Sequence, residues 1–302
     1  MTLDILMPFY GRFDQFKVAV ESVRAQTSDD WRLTIVDDVY PDPAPGQWAL
    51  SLGDSRIRYV RNTENLRPSR NYNKSVGLAE SEFVVIMGCD DVMLPGYVAR
   101  VAELLLKYPD AAIVQPGVSV IDENGAPSRP LADRVKRWYR PAGSGPRTVS
   151  GEKLAVSLLR ANWTYFPSLV WRRDLLAGGF RTDLDVVQDL AMLFDIASAG
   201  GILVVDDEVV FHYRRHSGSV SAVTGFDGSK FIQETTLFTE AATTSAQLGW
   251  TRAARAARSH LTSRLNALSE LPGAIISNNR QARHTLTRHI LGRSSPASRA
   301  RR

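Results

Sequence analysis

Residues 81–95 read SEFVVIMGCDDVMLP, and this stretch decides the fold class. Residues 83–87 are a short, unbroken apolar run, which is typical of a strand buried on both faces of a parallel sheet. Gly88 ends the run, and Asp90 and Asp91 follow it. Open α/β sheets bind their ligands at the carboxyl ends of the strands. The stretch therefore predicts an α/β protein with two carboxylates at its ligand-binding edge.

Two adjacent carboxylates at such an edge predict a cation site. Like charges this close repel each other unless a cation lies between them. A hard divalent ion, Mg²⁺ or Mn²⁺, takes oxygen ligands and usually keeps phosphate oxygens of the substrate among them. The alternative is an acidic turn that caps a helix starting near Leu94 and Pro95, where Asp and Pro are both favoured. From this stretch alone both interpretations are open.

Strands and helices alternate on both sides of this stretch. The predicted strands cover residues 3–7, 31–36, 57–60 and 111–115, and the predicted helices cover 13–26, 68–79 and 95–107. The strand over 31–36 also runs into paired acids, Asp37 and Asp38. This alternation predicts a doubly wound, mostly parallel sheet with both acidic pairs along one edge. The sequence has no Gly-rich phosphate-binding loop, so a cation and basic side chains would hold phosphates.

The pattern is less regular after residue 116. Residues 126–148 are rich in Pro, Gly and Arg, and we expect a mobile loop over the site or a poorly ordered insert. Strands over 202–205 and 209–213 are predicted to pair around a hairpin turn that contains Asp206. The other predicted elements are helices over 150–160 and 187–199 and Ala- and Arg-rich helices from residue 231 onward.

The composition is that of a globular protein. The chain has 302 residues, of which 44% are hydrophobic and 23% are charged. Its single cysteine, Cys89, cannot form an intrachain disulfide. The start of the sequence lacks the pattern of a signal peptide, and the longest apolar runs are too short to cross a bilayer. We expect a cytoplasmic protein, or one that is peripheral to a membrane.

The positive charge is concentrated toward the end of the chain. The formal net charge is +5, and from residue 251 onward eleven arginines stand against one acid, Glu270. Such a segment could contact anionic lipid or a partner protein, or it could be a solvated helical face with a basic tail. Nucleic acid is not expected as a partner, because these residues cluster outside the organised domain.

These segments, in this order, resemble the family 2 glycosyltransferases, which are nucleotide-sugar-dependent enzymes of GT-A fold. The likeness runs from about residue 3 to 221 and rests on the motifs LDILMPFYGR, VRAQTSDDWRLTIVDD, NLRPSRNYNKSVGLAESEFVVIMGCDD, GGFRTDLDVVQDLAMLFDIASAGG and YRRHSGSVS. The resemblance implies inverting transfer of a sugar from a nucleoside-diphosphate sugar, with UDP or dTDP favoured. The acceptor would be a hydroxyl group of a saccharide, a lipid-linked molecule or a small molecule.

The resemblance also implies a division of the chain. Residues 1–117 would form the nucleotide-sugar-binding half of the GT-A domain, and residues 118–225 the acceptor-binding half with the catalytic base. Residues 226–302 would form an Arg-rich helical extension and tail. A homo-oligomer is left open.

On the donor side, the resemblance assigns a nucleotide pocket. The residues expected around the nucleotide are Pro8, Phe9, Tyr10, Asp38, Arg70, Asn73 and Asp90. Asp38 would accept a hydrogen bond from the N3–H of a pyrimidine, since a charge-assisted bond to an imide is strong. Asp90 would bind the ribose.

On the metal and acceptor side, the resemblance assigns five residues. Asp91 would ligate Mn²⁺ or Mg²⁺, and His216 would complete the metal shell or contact the diphosphate. Asp189 would act as the general base. Trp163 and Tyr165 would bind the acceptor, because aromatic faces suit a sugar ring.

Two departures from the family pattern and two alternative functions remain. Gly88 stands where the family often has an acid, and Gln188 stands where it usually has Glu, so Asp189 would lack an acidic neighbour that raises its pKa. One alternative is a sugar-nucleotide nucleotidyltransferase, although the segment after the first strand, MPFYGRFDQ, lacks the Gly-rich loop of those enzymes. The other is a non-catalytic nucleotide-sugar-binding or assembly subunit.

Overall fold

The computed structural model describes residues 1–215, 224 and 227–292. Within these residues nine strands form one sheet: β1 (Leu3–Phe9), β2 (Trp31–Asp37), β3 (Ile57–Arg61), β4 (Phe83–Ile86), β5 (Val92–Met93), β6 (Ala111–Ile121), β7 (Arg147–Ser150), β8 (Val170–Arg172) and β9 (Ile202–Arg214). The order is β3-β2-β1-β4-β8-β6-β9-β5, and β7 pairs with β9. Strands β1, β2, β3, β4, β6 and β9 run in one direction, and β5, β7 and β8 run against them. The prediction of a mostly parallel α/β sheet is confirmed.

Helices connect the strands and extend the chain beyond the sheet. They are α1 (Phe13–Arg24), α2 (Ala44–Ser51), α3 (Arg67–Gly77), α4 (Tyr97–Lys107), α5 (Leu131–Tyr139), α6 (Gly151–Arg160), α7 (Gln188–Ser198), α8 (Ser229–Gln247), α9 (Thr251–Ser259), α10 (Leu261–Ile276) and α11 (Arg280–Ile290). No helix of the described residues is both long enough and apolar enough to cross a membrane.

Apolar side chains on the two faces of the sheet form two separate cores. Leu3, Ile5 and Met7 of β1 belong to one core cluster, whereas Leu6 of the same strand belongs to the other. This is the two-residue alternation of a strand, in which successive side chains point to opposite faces. Complete burial of such a side chain contributes about 1.5–3 kcal/mol to stability. β1 is therefore held from both sides, as its apolar sequence predicted.

The parallel strands β1, β2 and β4 end at one edge of the sheet. In the parallel register Phe9 is paired with Asp37, and Leu6 is paired with Ile86. The residues that follow these strands therefore lie along the same edge, where open α/β sheets bind ligands. This register brings the backbones of the two acidic pairs to one side of the molecule.

The predicted hairpin around Asp206 is wrong, because β9 is one continuous strand. Asp206 is 1% exposed and accepts hydrogen bonds from Arg100 Nε at 2.8 Å and Arg100 Nη2 at 2.9 Å. This guanidinium, on α4, neutralises an acid that would otherwise be expected in a turn. Opposite it, a Cβ on Gly117 of β6 would collide with the backbone of Glu208, so the close approach of β6 to β9 requires glycine at that position.

The expectation of a mobile loop over residues 126–148 is also wrong. This segment contains α5 and the start of β7, which pairs with β9. Asp133 and Lys136, one helical turn apart on α5, both make hydrogen bonds to other parts of the chain. The Pro and Gly residues lie on either side of the helix and not within it.

Helices α8 to α11 confirm the predicted helical extension over the described residues. α8 and α9 contribute Phe238 and Ala257 to one of the two main cores. Phe231 and Leu286, from α8 and α11, lie in a third, smaller core. The extension is thus packed against the sheet domain and is not a loosely attached tail as far as residue 292.

Candidate functional site

The turn after β4 places Asp91 in a buried position with one oxygen free. Asp91 is 1% exposed; its Oδ1 accepts the backbone N–H of Arg214 at 2.7 Å, and its Oδ2 has no hydrogen-bond partner within the described part of the chain. Burial, and then the charge of Asp90, raise the pKa of Asp91 well above its ordinary value. An unpartnered buried carboxylate oxygen is rare in folded proteins and calls for a proton or a cation.

Gly88 makes this arrangement possible. A Cβ at Gly88 would collide with Asp91 Oδ2 and would lie 3.0 Å from Asp90 Oδ1, so both carboxylates face the same side of the turn. In the region covered by residues 1–215, 224 and 227–292, no group of three His, Cys, Asp or Glu side chains is placed to hold a metal ion. Mg²⁺-type sites are, however, commonly built from one or two carboxylates together with substrate phosphates. The residues present fit such a cation, and His216, the other predicted ligand, lies outside the described residues.

Asp38 is held in a concave site at the start of α3. Its Oδ1 accepts hydrogen bonds from the N–H of Leu66 (2.7 Å) and from Asn62 Nδ2 (2.7 Å), and its Oδ2 accepts the N–H of Arg67 (2.9 Å). Leu66 has right-handed helical angles and Arg67 has a φ of 62°. Successive N–H groups in this alternation form an anion-binding concavity, and Asp38 supplies the anion. A carboxylate offers about four lone pairs, so Oδ2 keeps one for a ligand.

The residues at the end of β1 divide between the core and the surface. The Phe9 side chain is fully buried, with its ring centroid 4.2 Å from that of Phe16, so the ring packs in the core, and nucleotide binding at Pro8, Phe9 and Tyr10 stays a prediction. Tyr10, by contrast, is 55% exposed and packs edge-on against Tyr40 at 5.5 Å. Pro8, which directly precedes Phe9, is half-buried. Tyr10 and Tyr40 form the aromatic surface at this edge.

Arg70 and Asn73 both lie on α3, but their environments differ. Asn73 Nδ2 donates to the carbonyl oxygen of Phe180 at 2.8 Å, and Asn73 Oδ1 accepts the N–H of Phe180 at 2.6 Å. This amide clamp ties α3 to the loop that leads to α7, a structural role that the sequence did not predict. Arg70 is exposed and lies 3.6 Å from Glu64. Nucleotide binding by Arg70 and Asn73 stays a prediction.

Asp189 lies in the first turn of α7 and is held by a side chain from another segment. Asn162 Nδ2 donates to Asp189 Oδ2 at 2.9 Å. Burial raises the pKa of Asp189 above its ordinary value. A raised pKa was not expected with Gln188 as its neighbour, but desolvation supplies the effect that a second acid was expected to supply.

Tyr72 of α3 lies near both Asp189 and the turn after β4. Burial, then the charge of Asp189, and further the charges of Cys89 and Asp90, raise the pKa of the Tyr72 phenol. A second aromatic, Tyr213, precedes Arg214, the residue whose N–H holds the turn. The pKa of Tyr213 is raised by burial and then by the nearby carboxylates of that turn. The acids after β4 and the acid on α7 therefore both lie near Tyr72.

The two predicted acceptor residues have different environments. Trp163 is 2% exposed and its Nε1 donates to Ser157 Oγ at 3.2 Å, so most of its ring packs in the core, and acceptor binding by Trp163 stays a prediction. Tyr165 is half-buried, with its ring 5.3 Å from that of Tyr213 and its hydroxyl donating to Asp133 Oδ1 at 2.9 Å. Acceptor binding by Tyr165 stays a prediction.

A charged group on α5 completes this side of the site, and the sequence did not predict it. Lys136 Nζ lies 4.4 Å from the centroid of the Tyr165 ring and donates to the Thr164 carbonyl at 2.6 Å. Burial, and then the charge of Arg215, lower the pKa of Lys136 to about 8. Asp133 is paired with Arg215 at 2.5 and 2.8 Å. The helical spacing of Asp133 and Lys136 was the signal available in the sequence.

Comparison with known proteins identifies the family. Residues 4–157, about half of the chain, match the sequence family described as glycosyl transferase family 2.

The chain belongs to this family.

One curated relative of this family 2 chain is the succinoglycan biosynthesis protein ExoO of Rhizobium meliloti, which is 26% identical over 222 residues. The match covers 72% of this chain and 62% of ExoO, so the chain spans less than two thirds of that relative, and another relative is covered over 14% of its length. The chain therefore corresponds to only part of the length of these relatives.

Two solved structures have the same fold. S. aureus TarS (residues 1–349) in complex with UDP-GlcNAc has a TM-score of 0.63 at 13% identity, covering 97% of this chain and 93% of that chain. The mannosyltransferase PcManGT from Pyrobaculum calidifontis, in complex with GDP-Man and Mn²⁺, has a TM-score of 0.56 at 16% identity, covering 96% and 85%. Identities this low show a common fold, and the family 2 chain therefore has the GT-A fold expected from its sequence.

Proposed function

We propose that this protein is an inverting glycosyltransferase that moves one sugar from a nucleoside-diphosphate sugar, UDP or dTDP favoured, to a hydroxyl acceptor. The observation that carries the proposal is the placement of two sets of acids near Tyr72, the Asp90–Asp91 turn after β4 and Asp189 on α7. One set suits a diphosphate-bound cation, and the other suits removal of a proton. Inverting transfer needs both in the same site.

Asp189 supplies the general base. The acceptor oxygen attacks the anomeric carbon, the bond from that carbon to the diphosphate breaks, and Asp189 takes the hydroxyl proton. A carboxylate whose pKa is raised by burial is a stronger base than one in water. The hydrogen bond from Asn162 leaves the other oxygen of Asp189 to meet the acceptor. General-base assistance is worth roughly 10²–10⁴ in rate, or about 3–5 kcal/mol of barrier.

The donor lies along the edge formed by β1, β2 and β4. The remaining lone pair on Asp38 Oδ2 accepts the N3–H of the pyrimidine, Tyr10 packs against the base, and Asp90 bonds the ribose. Asp91, through its unpartnered Oδ2, would hold Mn²⁺ or Mg²⁺ together with His216. When bound, that cation would neutralise the charge of the leaving diphosphate. The Mn²⁺ in the complex of the mannosyltransferase supports this proposal.

The acceptor lies against Tyr165, Lys136 and Tyr213. Relatives named for succinoglycan and O-antigen biosynthesis support a saccharide or a saccharide carried on a lipid as acceptor. In this proposal residues 1–117 bind the donor and residues 118–225 bind the acceptor and carry Asp189. Residues 226–302 brace the acceptor half, and the chain acts in the cytoplasm, with its Arg-rich segment able to lie on an anionic membrane surface.

A donor panel tests the proposal. The protein is incubated with UDP-, dTDP- and GDP-sugars, with Mn²⁺, with Mg²⁺ or with chelator, and release of nucleoside diphosphate is measured. We expect metal-dependent release from a pyrimidine donor that exceeds release from a GDP-sugar. Binding of nucleotide sugar without any release would instead support a non-catalytic binding subunit.

A further inference from the structure

A cleft of about 220 Å³ lies between α5, α6 and α9, and it is not part of the site described above. Its walls include two aromatic residues of α5, three polar or basic residues of α6, and one residue of α9. These are Trp138, Tyr139, Lys153, Ser157, Arg160 and Arg252. We refer to it as the α5–α6–α9 cleft.

The cleft carries three positive charges that converge from two helices. Lys153 and Arg160 are seven residues apart on α6 and therefore share one face of that helix, and Arg252 faces them from α9. Across the described part of the chain, none of the three side chains forms an ion pair with a carboxylate. The nearby Glu152 accepts the N–H of Arg252 at 2.7 Å and so caps the start of α9. The cleft is thus a cationic site with its donors available.

These properties favour a phosphate group as the ligand. Guanidinium groups bind phosphate oxygens with paired hydrogen bonds, and an ammonium adds a compact charge. Trp138, on the rim, is 79% exposed, which is unusual for so large an apolar ring, and it offers a flat surface to the organic group attached to the phosphate. The volume admits a phosphate together with part of that group.

The cleft is connected to Asp189 through one short segment. Arg160 is the last residue of α6, and Asn162, two residues later, holds Asp189. Two residues of extended chain span at most about 7 Å. Ser157 of the cleft also accepts the indole N–H of Trp163 in the same segment. The α6 wall of the cleft is therefore continuous along the backbone with the segment that holds Asp189.

We infer that the α5–α6–α9 cleft binds a phosphate group carried by the acceptor. The assignment of the phosphate to an acceptor rests on the proposed function, whereas the binding of phosphate by the cleft does not depend on it. Two sources share this chemistry: a phosphate ester of a water-exposed acceptor and the headgroup phosphate of a lipid on which an acceptor is carried.

Titration with inorganic phosphate tests the cleft, with tryptophan fluorescence and calorimetry as the readouts. The test variant is the triple substitution Lys153→Gln, Arg160→Gln, Arg252→Gln. The matched control removes three exposed arginines outside the cleft, Arg255→Gln, Arg258→Gln and Arg280→Gln. We expect saturable binding in the wild type and in the control, and binding about tenfold weaker or more in the test variant. Absence of saturable binding in the wild type, or equal binding in the test variant, would overturn the inference.

A second variant provides an independent test of the cleft if the triple variant is poorly folded. Trp138→Phe leaves the charges in place and removes the reporter. We expect it to lose most of the fluorescence response while calorimetry still detects phosphate. A fluorescence response that is unchanged in Trp138→Phe would place the bound phosphate outside the cleft.

Vesicle flotation separates the two sources. The wild type is mixed with vesicles of phosphatidylcholine alone and with vesicles containing phosphatidylglycerol. Flotation that requires phosphatidylglycerol and the three basic residues assigns the phosphate to a lipid. Binding of inorganic phosphate without flotation assigns it to an ester in solution.

Binding of UDP, measured in parallel on the wild type, separates this inference from the proposed function. A protein that binds neither UDP nor dTDP in the presence of Mn²⁺ or Mg²⁺ but binds phosphate through the three residues would overturn the proposed function and keep the cleft. A protein that binds UDP but shows no residue-dependent phosphate binding would overturn the cleft and keep glycosyl transfer.

Discussion

Arg214 holds the turn that carries Asp91 by two different parts of its structure. Its backbone N–H donates to Asp91 Oδ1 at 2.7 Å, and its Nε donates to the carbonyl oxygen of Asp90 at 2.6 Å. The last residue of β9 thus fixes two acids that are more than 120 residues away in sequence. Since one oxygen of Asp91 is used in this way, the other is left to face the site.

The first prediction concerns the general base. Asp189→Asn is expected to lower the transfer rate by roughly 10²–10⁴ because the amide cannot take the acceptor proton. The affinity for UDP, measured by calorimetry, is expected to stay within about twofold, since Asp189 lies on the acceptor side. Asp195→Asn, on the exposed face of the same helix, is the matched control and should keep the wild-type rate. Near-normal transfer by Asp189→Asn would remove this residue from the mechanism.

The second prediction concerns the cation. Asp91→Asn is expected to abolish the increase in UDP affinity that Mn²⁺ or Mg²⁺ produces, which calorimetry with and without metal measures. The melting temperature is expected not to fall, because the variant removes a buried negative charge whose Oδ2 has no partner. Loss of folding would contradict the second expectation, and a metal effect equal to that of the wild type would contradict the first.

The third prediction concerns recognition of the base. Asp38→Asn is expected to weaken UDP binding about tenfold or more, because a charge-assisted hydrogen bond to the N3–H is lost. The variant should bind GDP as the wild type does, since guanine lacks that imide contact in the proposed geometry. An equal loss for UDP and GDP would show that Asp38 acts only by holding the loop through Leu66 and Arg67.

The fourth prediction concerns acid stability. His289, between α8, α10 and α11, is 3% exposed, with Nδ1 2.9 Å from Thr235 Oγ1 and Nε2 2.6 Å from Ser263 Oγ. Burial, and then the charge of His260, lower the pKa of His289 to about 4. The unfolded chain binds a proton near pH 6.5, so the stability from this residue is present above that pH and is lost as the pH falls from about 6.5 to about 4. The loss is about 3 kcal/mol.

Urea unfolding at pH 7.5, 6.0 and 5.0 measures this loss. His289→Gln keeps hydrogen-bonding groups at the site but cannot gain the proton, so its stability should vary less between pH 7.5 and 5.0 than that of the wild type. His284→Gln replaces an exposed histidine on the same helix and should leave the pH dependence unchanged. A pH dependence that is the same in His289→Gln and in the wild type would show that protonation of His289 does not cause the loss of stability.

The central edge of the sheet could be predicted from sequence because its signals are local. The apolar run before Gly88 and the acids after it are contiguous, and a buried parallel strand leaves few other arrangements. It was harder to predict which of the Phe9 and Tyr10 rings is buried, since the two residues are both aromatic and are adjacent in sequence. Only the position at which β1 ends decides that the first ring enters the core and the second reaches solvent.

The errors arose where a distant partner decides the structure. Asp206 reads as a turn residue, but Arg100, more than 100 positions earlier, makes it acceptable inside β9. Residues 126–148 read as a loop because Pro and Gly hide the short helix that they flank. Asp38 was expected to meet a ligand, and nothing local shows that the backbone N–H groups of Leu66 and Arg67 would also bind it.

The amide clamp between Asn73 and Phe180 has a mechanical consequence. It joins α3 to the loop that leads to Asp189, the proposed general base, through two hydrogen bonds at 2.8 and 2.6 Å. A hinge motion that separated these halves would break both bonds, at about 0.5–1.5 kcal/mol each. In the proposed mechanism, the donor side and the acceptor side are therefore tied together by this contact and would not separate without breaking it.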